Sequence, residues 1–370
     1  MFGMERQSVR PIALDLGHSV IRMLQLGVTP DEGLYVVDAQ QTHVDPDLDA
    51  QPGKREEFVA ESIQQMLERG RFIDRKIISA LPNDSLKIRS LRLDPTQTGQ
   101  IDEILRDEVA QRFGLNPDAD EIRYLVAGHA YQGDEIKNEV IFFGIDRPSL
   151  AQHLQMLGKA SLQPMAIDAV PCALFRSFKS SYRRQEDQQL VSVFVEVGCR
   201  LTTVIIGRGQ EISFIKQIPI AGDQINQDVA DRMGISLPEA IRLRSQLRIA
   251  EDTAFDHVTR QSMIDAMSRT VEDLAKEVSL CFRYYAVTFR GEKPQEAVFG
   301  GGEAHETALL NALRRHLGIE ITIAQPFRGI DLAGSVLAEA DATTLSEWAV
   351  AVGLGIRGFE PAMVRVENAG

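Results

Sequence analysis

Two stretches of the chain repeat one pattern of apolar strands and acidic turns. Residues 12–40 contain three short apolar runs separated by Gly-containing turns, and residues 190–220 contain three more in the same order. In each copy the first run ends in a carboxylate, one further residue and a glycine. Apolar runs of this length between turn residues predict β-strands. The duplication therefore predicts two lobes, each with its own sheet.

The sequence around the two copies predicts four parts. From Leu86 the pattern changes to a compact α+β unit, and residues 223–289 become mostly helical, with a methionine-containing apolar stripe that is typical of a packed core. The polar residues 181–189 are typical of an exposed connection between lobes. The predicted parts are a first-lobe core (8–85 and 160–185), an inserted subdomain (86–159), a second-lobe core (190–222 and 296–360) and a helical subdomain (223–295).

Composition narrows the classes of partner. The 370 residues include 53 acidic and 40 basic ones, a net charge of −13 that predicts no nucleic-acid partner. Cys172, Cys199 and Cys281 form neither a metal-ligand pattern nor a disulfide framework, so a reduced cytoplasm is expected. No apolar run approaches the roughly 18 residues that cross a bilayer. We therefore expect no direct membrane insertion, and any contact with a membrane to go through a partner.

The first acidic turn has the groups needed to bind a phosphate and a metal. Asp15 ends a buried strand, and Gly17, His18 and Ser19 form the turn, with Arg22 beyond it. Backbone amides and a hydroxyl in such a turn suit a terminal phosphate, and the carboxylate suits Mg²⁺ held through waters. The imidazole of His18 is equally consistent with a polar turn residue that faces solvent. An Asp-x-Gly turn is also common for conformational reasons alone.

The second acidic turn repeats these groups. Glu196 takes the carboxylate position, as a second water-mediated Mg²⁺ ligand, and is followed by Gly198 and Cys199, with Thr202 on the next strand. Cys199 is interpreted as a small residue in a tight turn, since no positioned base accompanies it. Two such turns facing one another across a cleft would hold one metal–nucleotide complex.

A third glycine-rich turn lies between a strand and a helix in the last quarter of the chain. Gly300, Gly301 and Gly302 would let the backbone approach a flat ring or a phosphate closely, although a simple strand-to-helix turn explains them as well. Three glycine turns, each at the end of a strand, are consistent with one shared site.

The order and spacing of these turns resemble the superfamily of actin, Hsp70 and sugar kinases. Residues 14–26, LDLGHSVIRMLQL, resemble its first phosphate motif. The resemblance implies an α/β actin-like ATPase fold, with two lobes built on duplicated ribonuclease-H-like cores and an inserted α+β subdomain. It also implies ATP and Mg²⁺ as cofactors, and it adds Gly222, Arg244 and Glu303 to the expected nucleotide-binding residues.

Further segments resemble the PilM family of type IV pilus assembly proteins. The matching segments lie at residues 101–124, 160–174, 218–244, 298–327 and 353–358. The resemblance implies a cytoplasmic scaffold at the inner membrane, in a pilus, competence or secretion system. It would bind the N-terminal cytoplasmic peptide of a bitopic pilus-alignment membrane protein. Pilus motor or platform proteins and further copies of the chain are other partners that the resemblance implies.

Several positions depart from the family pattern. His18 and Val20 replace two serines of the first turn, and Glu196 replaces an Asp with a side chain one methylene longer. Ile241 and Arg244 stand where Glu and Lys are common near the ribose and adenine. Because a displacement of about 1 Å can cost about a hundredfold in rate, we expect nucleotide binding to be retained and hydrolysis to be weak or absent. No residue of the sequence is assigned to orient the attacking water.

Two other functions share this fold. A small-molecule kinase would need a positioned carboxylate base and a polar substrate pocket, for which the sequence offers no clear candidate. A filament-forming cell-division actin homologue would carry a C-terminal basic amphipathic helix, whereas this sequence finishes MVRVENAG. The scaffold function is therefore the preferred prediction.

Overall fold

The structure, a computed structural model, describes residues 8–179, 190–249, 255–290, 294, 296–357 and 364–365. The predicted polar connection at residues 181–189 and most of the C-terminal sequence MVRVENAG lie outside the described residues. Strands and helices are numbered below in chain order.

The first repeat copy forms a three-stranded meander, followed by a helix and a further strand. Pro52, at the first helical position of the long helix, fixes a backbone angle that suits the start of a helix. The elements are β1 (Ser8–Val9), β2 (Ile12–Leu16), β3 (Val20–Val28), β4 (Leu34–His43), a 3₁₀ turn (Pro46–Ala50), α1 (Pro52–Arg69) and β5 (Lys76–Leu81).

The next segment contains the predicted α+β unit and the return to the first lobe. Asp146 caps one of its helices by accepting a hydrogen bond from the Ser149 N–H at 2.8 Å. The elements are β6 (Lys87–Leu93), a 3₁₀ turn (Pro95–Gln100), α2 (Ile101–Phe113), β7 (Glu121–Gln132), β8 (Glu135–Ile145), α3 (Arg147–Lys159), β9 (Gln163–Ala169) and α4 (Val170–Lys179).

The second repeat copy forms another meander and leads into three helices. Met263 and Met267 of the longest helix are fully buried together with the rest of its predicted stripe, which confirms the packed core. The elements are β10 (Val191–Val197), β11 (Thr202–Arg208), β12 (Glu211–Ile218), α5 (Gly222–Met233), α6 (Leu237–Ile249) and α7 (His257–Phe289).

The remaining elements complete both lobes and the sheet of the inserted unit. They are β13 (Glu296–Gly300), α8 (Thr307–Leu317), β14 (Glu320–Ile323), β15 (Ile330–Asp331), α9 (Ala342–Ser346), α10 (Ala349–Ile356) and β16 (Val364–Arg365).

The two lobes contain sheets of the same topology. One sheet runs in the order β4-β3-β2-β5-β9 and the other in the order β12-β11-β10-β13-β14, with β15 added beside β4 and β1 beside β3. In each, the first three strands are antiparallel and the last two are parallel to the first strand of the meander. The structure thus confirms the duplicated α/β architecture that the two acidic turns predicted.

The inserted unit has its own sheet and core. Its strands run in the order β16-β7-β8-β6, and α2 packs on them through Leu105 and Val109 against Phe142. β16 pairs with β7 in antiparallel register, so a segment near the C-terminus extends the sheet of the insertion.

Three elements pack outside the part to which the sequence assigned them. Helix α3, placed in the insertion, contributes Met156 and Leu157 to the core around Ile12 and Leu14 of the first lobe. The sequence placed strand β15 and helix α10 in the second lobe. Strand β15 instead pairs with β4, and helix α10 packs on α4 and β2. Amphipathic or wholly apolar segments pack on an apolar surface that is close to them in the folded protein. Their position in the sequence does not specify which surface that is.

The lobes are joined by a continuous core. Phe178 of α4 stacks on Phe194 of β10 with ring centroids 4.6 Å apart, and Phe175 meets the same ring edge-on at 5.8 Å. These rings belong to one apolar cluster that also includes Trp348 beside α10. A shared core at this position holds the ends of β2 and β10 in a fixed relation.

Candidate functional site

The first predicted phosphate turn connects β2 to β3. Asp15 is buried near the end of β2 and lies directly opposite Arg22 on β3. Burial raises the pKa of Asp15 to about 6, while the positive charge of Arg22 opposes the rise. A Cβ atom at Gly17 would lie 2.5 Å from the carbonyl oxygen of Val20, so this turn accepts only glycine without rearrangement.

The second turn is fixed by the helix that follows the meander. The Gly198 N–H donates to the Leu201 carbonyl at 3.1 Å and closes the turn. The first residues of α5 bind it from the other side: the Gly222 N–H donates to the Gly198 carbonyl at 3.1 Å, and the Asp223 N–H donates to the Cys199 carbonyl at 2.8 Å. The N-terminus of α5 therefore points its positive dipole end toward this turn, where an anion is favoured.

Two predicted ligands of the second turn already have partners in the protein. The buried Thr202 hydroxyl donates to the Ile220 carbonyl at 2.7 Å. The Cys199 thiol donates to Asp223 at 2.7 Å. Burial and then Asp223 raise the pKa of Cys199, which keeps the thiol protonated and agrees with its interpretation as a turn residue.

The two turns face one another. Burial raises the pKa of Glu196 to about 8, and the negative charge of Asp15 adds to this rise, whereas Arg22 opposes it. A hydrogen bond also connects the side chains of Ser19 and Cys199. This bond lowers the pKa of the Cys199 thiol, but burial and Asp223 raise it by more. Both carboxylates and both turns thus lie in one electrostatic environment, as the duplication predicted.

The glycine-rich turn joins the same site. β13 runs parallel to β10 and places Gly300 beside its end. Gly301 has φ +88°, and a Cβ atom there would lie 2.5 Å from the carbonyl oxygen of Val197. The same carbonyl accepts a hydrogen bond from the Glu303 N–H at 3.3 Å. A Cβ atom at Gly302 would meet no atom of the described residues within 4 Å, so this glycine borders open space.

Arg244 reaches the site through carboxylates rather than through an exposed group. Its guanidinium is fully buried and contacts Glu303 at 2.5 Å and Glu306 at 3.2 Å. It also donates to Asn226 at 2.5 Å, while Arg248 contacts Glu303 at 2.7 Å. Burial raises the pKa of Glu303, but the charges of Arg244 and Arg248 outweigh it and the net shift is downward. This network attaches α6 to the glycine-rich turn.

Arg22 is buried between the first turn and the segment before α10. It forms an ion pair with Glu347, and its guanidinium carbon lies 5.8 Å from the centroid of the Trp348 ring. Arg22 is therefore positioned to influence both carboxylates, as their pKa shifts show.

A group of charged residues that the sequence did not single out connects the two turns. Asp49 accepts hydrogen bonds from His18 at 2.7 Å, from Arg55 at 2.8 Å and from Arg200 at 3.0 Å. Arg200 also lies 3.4 Å from Asp84. Arg200 belongs to the second lobe and the others to the first, so these contacts cross the cleft. The position of Arg200 directly after Cys199 was the one sequence signal for this group of residues. Asp49 and Arg55 lie outside every recognised motif.

A cation bound between the two turns would face Asp15 and Glu196. Among the described residues, no group of three or more His, Cys, Asp or Glu side chains is arranged to hold a metal ion. Asp15 and Glu196 instead form a facing pair whose ionisation is disfavoured by burial, and for Glu196 also by the charge of its partner. A hydrated divalent cation would supply the missing positive charge.

Comparison with known proteins gives the family. The family model described as type IV pilus assembly protein PilM matches residues 13–359. The chain belongs to the PilM family. The departures from the family pattern at His18 and Glu196 are therefore features of a PilM-family protein.

Similar solved structures agree with this family and fold. The chain is 18% identical to a structure described as a PilM–PilN type IV pilus biogenesis complex, with a TM-score of 0.76, covering 95% of this chain and 99% of the other. It is 13% identical to the ethanolamine utilization protein EutJ from Carboxydothermus hydrogenoformans, with a TM-score of 0.54 and coverage of 95% and 90%. The actin-like ATPase fold that the resemblance implied is confirmed. None of the helices within the described residues is long and apolar enough to span a membrane.

Proposed function

We propose that this PilM-family protein is an ATP-binding scaffold of a type IV pilus or related machine. The observation that carries the proposal is the meeting of three turns: the charge of Asp15 adds to the burial that raises the pKa of Glu196, and Gly301 packs against the strand that bears Glu196. Backbone amides, a helix N-terminus and two carboxylates at one place suit a polyphosphate with its cation. When bound, Mg²⁺ would neutralise phosphate charge between Asp15 and Glu196.

The individual residues divide into two roles in this proposal. Gly17, His18, Ser19, Gly198 and Cys199 form the turns that would face the phosphates, while Gly302 and the backbone beside it would face the nucleoside. Arg22, Thr202, Gly222, Arg244 and Glu303 hold these turns in place through buried contacts. Hydrolysis is proposed to be weak, because Glu196 carries its carboxylate one methylene further out than the Asp of the family pattern, and a displacement of about 1 Å can cost about a hundredfold in rate.

Calorimetric titration with ATP and Mg²⁺ tests the nucleotide site. We expect saturable binding that is stronger with Mg²⁺ than with EDTA, and loss of that Mg²⁺ dependence in the double variant D15N/E196Q. Absence of ATP binding in the wild-type protein, with and without Mg²⁺, would contradict the proposal. Phosphate release measured in the same samples would separate binding from turnover.

The membrane partner is proposed from the similar complex. That structure contains PilM with PilN, and the inserted subdomain of this chain has exposed apolar side chains, Val126 and Ile136, on its β7–β8 hairpin. We propose that the insertion and its boundary with the first lobe bind the N-terminal cytoplasmic peptide of a bitopic pilus membrane protein, which keeps the scaffold at the inner membrane. Pull-down with the cognate peptide and a scrambled control tests this, and equal recovery by both peptides would rule it out.

A further inference from the structure

Asp49 lies where three donor side chains converge beside the two phosphate turns. His18 belongs to the first turn, Arg200 directly follows Cys199 of the second, and Arg55 comes from the first turn of α1. Their nitrogen atoms lie 2.7, 3.0 and 2.8 Å from the Asp49 carboxylate oxygens. Such a set of donors around one anion has the chemistry of a phosphate site.

The hydrogen bonds assign a role to each donor. Burial is the largest cause of the lowered pKa of His18, which leaves the ring neutral at physiological pH. Arg55 approaches Nδ1 of this ring at 3.4 Å, so Nδ1 accepts and Nε2 carries the hydrogen that is donated to Asp49. The two guanidinium groups, one from each lobe, supply the positive charge.

We propose that Asp49 is a built-in competitor of the nucleotide's polyphosphate: it occupies the donors of His18, Arg55 and Arg200, and a phosphate group takes them over on binding. The inference rests on the proposed nucleotide site and adds its regulation. Because Arg200 and Asp49 belong to different lobes, the exchange also replaces a direct contact between the lobes with one that runs through the ligand. Asp49 sits in a single 3₁₀ turn, where a change of side-chain rotamer suffices to release the donors.

The charge of Asp49 is the feature that the exchange depends on. Burial opposes the ionisation of Asp49, but the hydrogen bond from His18 and the charges of Arg200 and Arg55 outweigh it and lower its pKa. The carboxylate is thus ionised whenever the site meets ATP. An anion beside an entering phosphate is unfavourable, so removing this charge strengthens phosphate binding.

The test compares D49N with D47N. Asp47 lies in the same 3₁₀ turn, its residue is exposed, and its replacement removes the same charge. Titration with Mg²⁺–ATP, tripolyphosphate and adenosine is expected to show about fivefold tighter binding of the two phosphate ligands to D49N than to wild type or D47N. Adenosine affinity should not change. In R200Q, which loses the donor from the second lobe, both phosphate ligands should bind about fivefold more weakly.

The outcomes separate this inference from the proposed nucleotide function. If wild type binds Mg²⁺–ATP but D49N and D47N bind it equally, Asp49 is not a competitor and the nucleotide site stands. If D49N strengthens adenosine as much as ATP, the effect does not act on phosphate and the inference is wrong. If neither wild type nor D49N binds any of the three ligands, both proposals are wrong. Thermal unfolding of each variant confirms that the comparison is made on folded protein.

Discussion

Glu196 holds its proton more tightly because it is buried and because Asp15 faces it from the other lobe. Burial is the larger cause, and the charge of Asp15 adds to it, so that the pKa of Glu196 rises from 4.5 to about 8. The pKa of Asp15 itself rises to about 6. A pair of carboxylates with separated pKa values carries at most one full charge near neutral pH. Such a pair is ready to accept a cation and, on doing so, to release a proton.

The stability of the protein without ligand should therefore fall as pH rises. The part of this fall that Glu196 causes should be absent in the variant E196Q. The folded-state pKa of Glu196 lies above its ordinary value, so its contribution to stability is present below pH 4.5 and is lost as pH rises through about 8. Gln resembles the protonated acid. The free energy of unfolding of E196Q minus that of wild type should grow across this range, at about 1.4 kcal/mol per unit of pKa shift at most.

Urea unfolding at several pH values measures this difference. The control is E211Q, at an exposed strand end of the same sheet, which should track the wild type at every pH. A constant difference between E196Q and wild type from pH 4.5 to pH 8 would show that Glu196 has an ordinary pKa. Mg²⁺–ATP should bind more strongly as pH rises, since it requires the ionised pair.

Two neighbouring glycines should respond differently to replacement by alanine. G301A places a Cβ atom against the carbonyl of Val197 in a backbone conformation that alanine rarely adopts, so we expect a loss of about 1–3 kcal/mol in unfolding free energy. G302A extends into open space and should leave stability nearly unchanged. If the nucleoside lies beside Gly302, the same variant weakens ATP binding. Chemical denaturation and calorimetry on both variants separate the structural glycine from the site glycine.

Removal of Arg244 should cost more than removal of an exposed arginine on the same helix. R244M leaves Glu303 and Glu306 buried beside one another, and breaking a buried ion pair in this way costs about 3–5 kcal/mol. R242M replaces an exposed side chain that donates a hydrogen bond to Gln246, and should stay within about 0.5 kcal/mol of wild type. Equal stability of the two variants would show that the network around Glu303 is not held by Arg244.

The sequence predicted the site features that belong to repeated motifs and missed the side chains that meet only in the folded protein. The acidic turns at Asp15 and Glu196 and the glycine turn at Gly301 were recognisable because strand, turn and glycine recur in a fixed order, and the topology then brings the strand ends together. Asp49 and Arg200 carry no such signal. Their contact is created by the closure of one lobe on the other, which depends on the shared core around Phe194 and on no local pattern.

The packing of α3 and α10 was missed for a related reason. Both helices have apolar residues suited to several surfaces, and the sequence order favoured the nearest one. Met156 instead joins the core of the first lobe, and Val352 of α10 is buried in the cluster that includes α4. The surface on which such a helix packs depends on which apolar faces of the fold are open. Composition and periodicity do not show which faces these are.

The crossing of α10 and α4 leads to the last prediction. A Cβ atom at Gly353 would lie 1.8 Å from the carbonyl oxygen of Ala173, so the two helices touch backbone to backbone at this point. Arg176 strengthens the crossing by donating to the Gly353 carbonyl at 2.8 Å and pairing with Asp168 at 3.1 Å. G353A must push the helices apart, and because the contact lies in the core beneath β2, we expect a loss of about 1–3 kcal/mol or more.

G158A is the matched control, since Gly158 is also helical but a Cβ atom there would meet no atom of the described residues within 4 Å. Alanine is the better helix former, so G158A should gain up to about 1 kcal/mol. Thermal unfolding distinguishes the two variants. An unchanged melting temperature in G353A would mean that α10 can move without loss of stability. Because α10 follows Glu347, the partner of Arg22, displacement of this helix should also weaken Mg²⁺–ATP binding, whereas G158A should leave it intact.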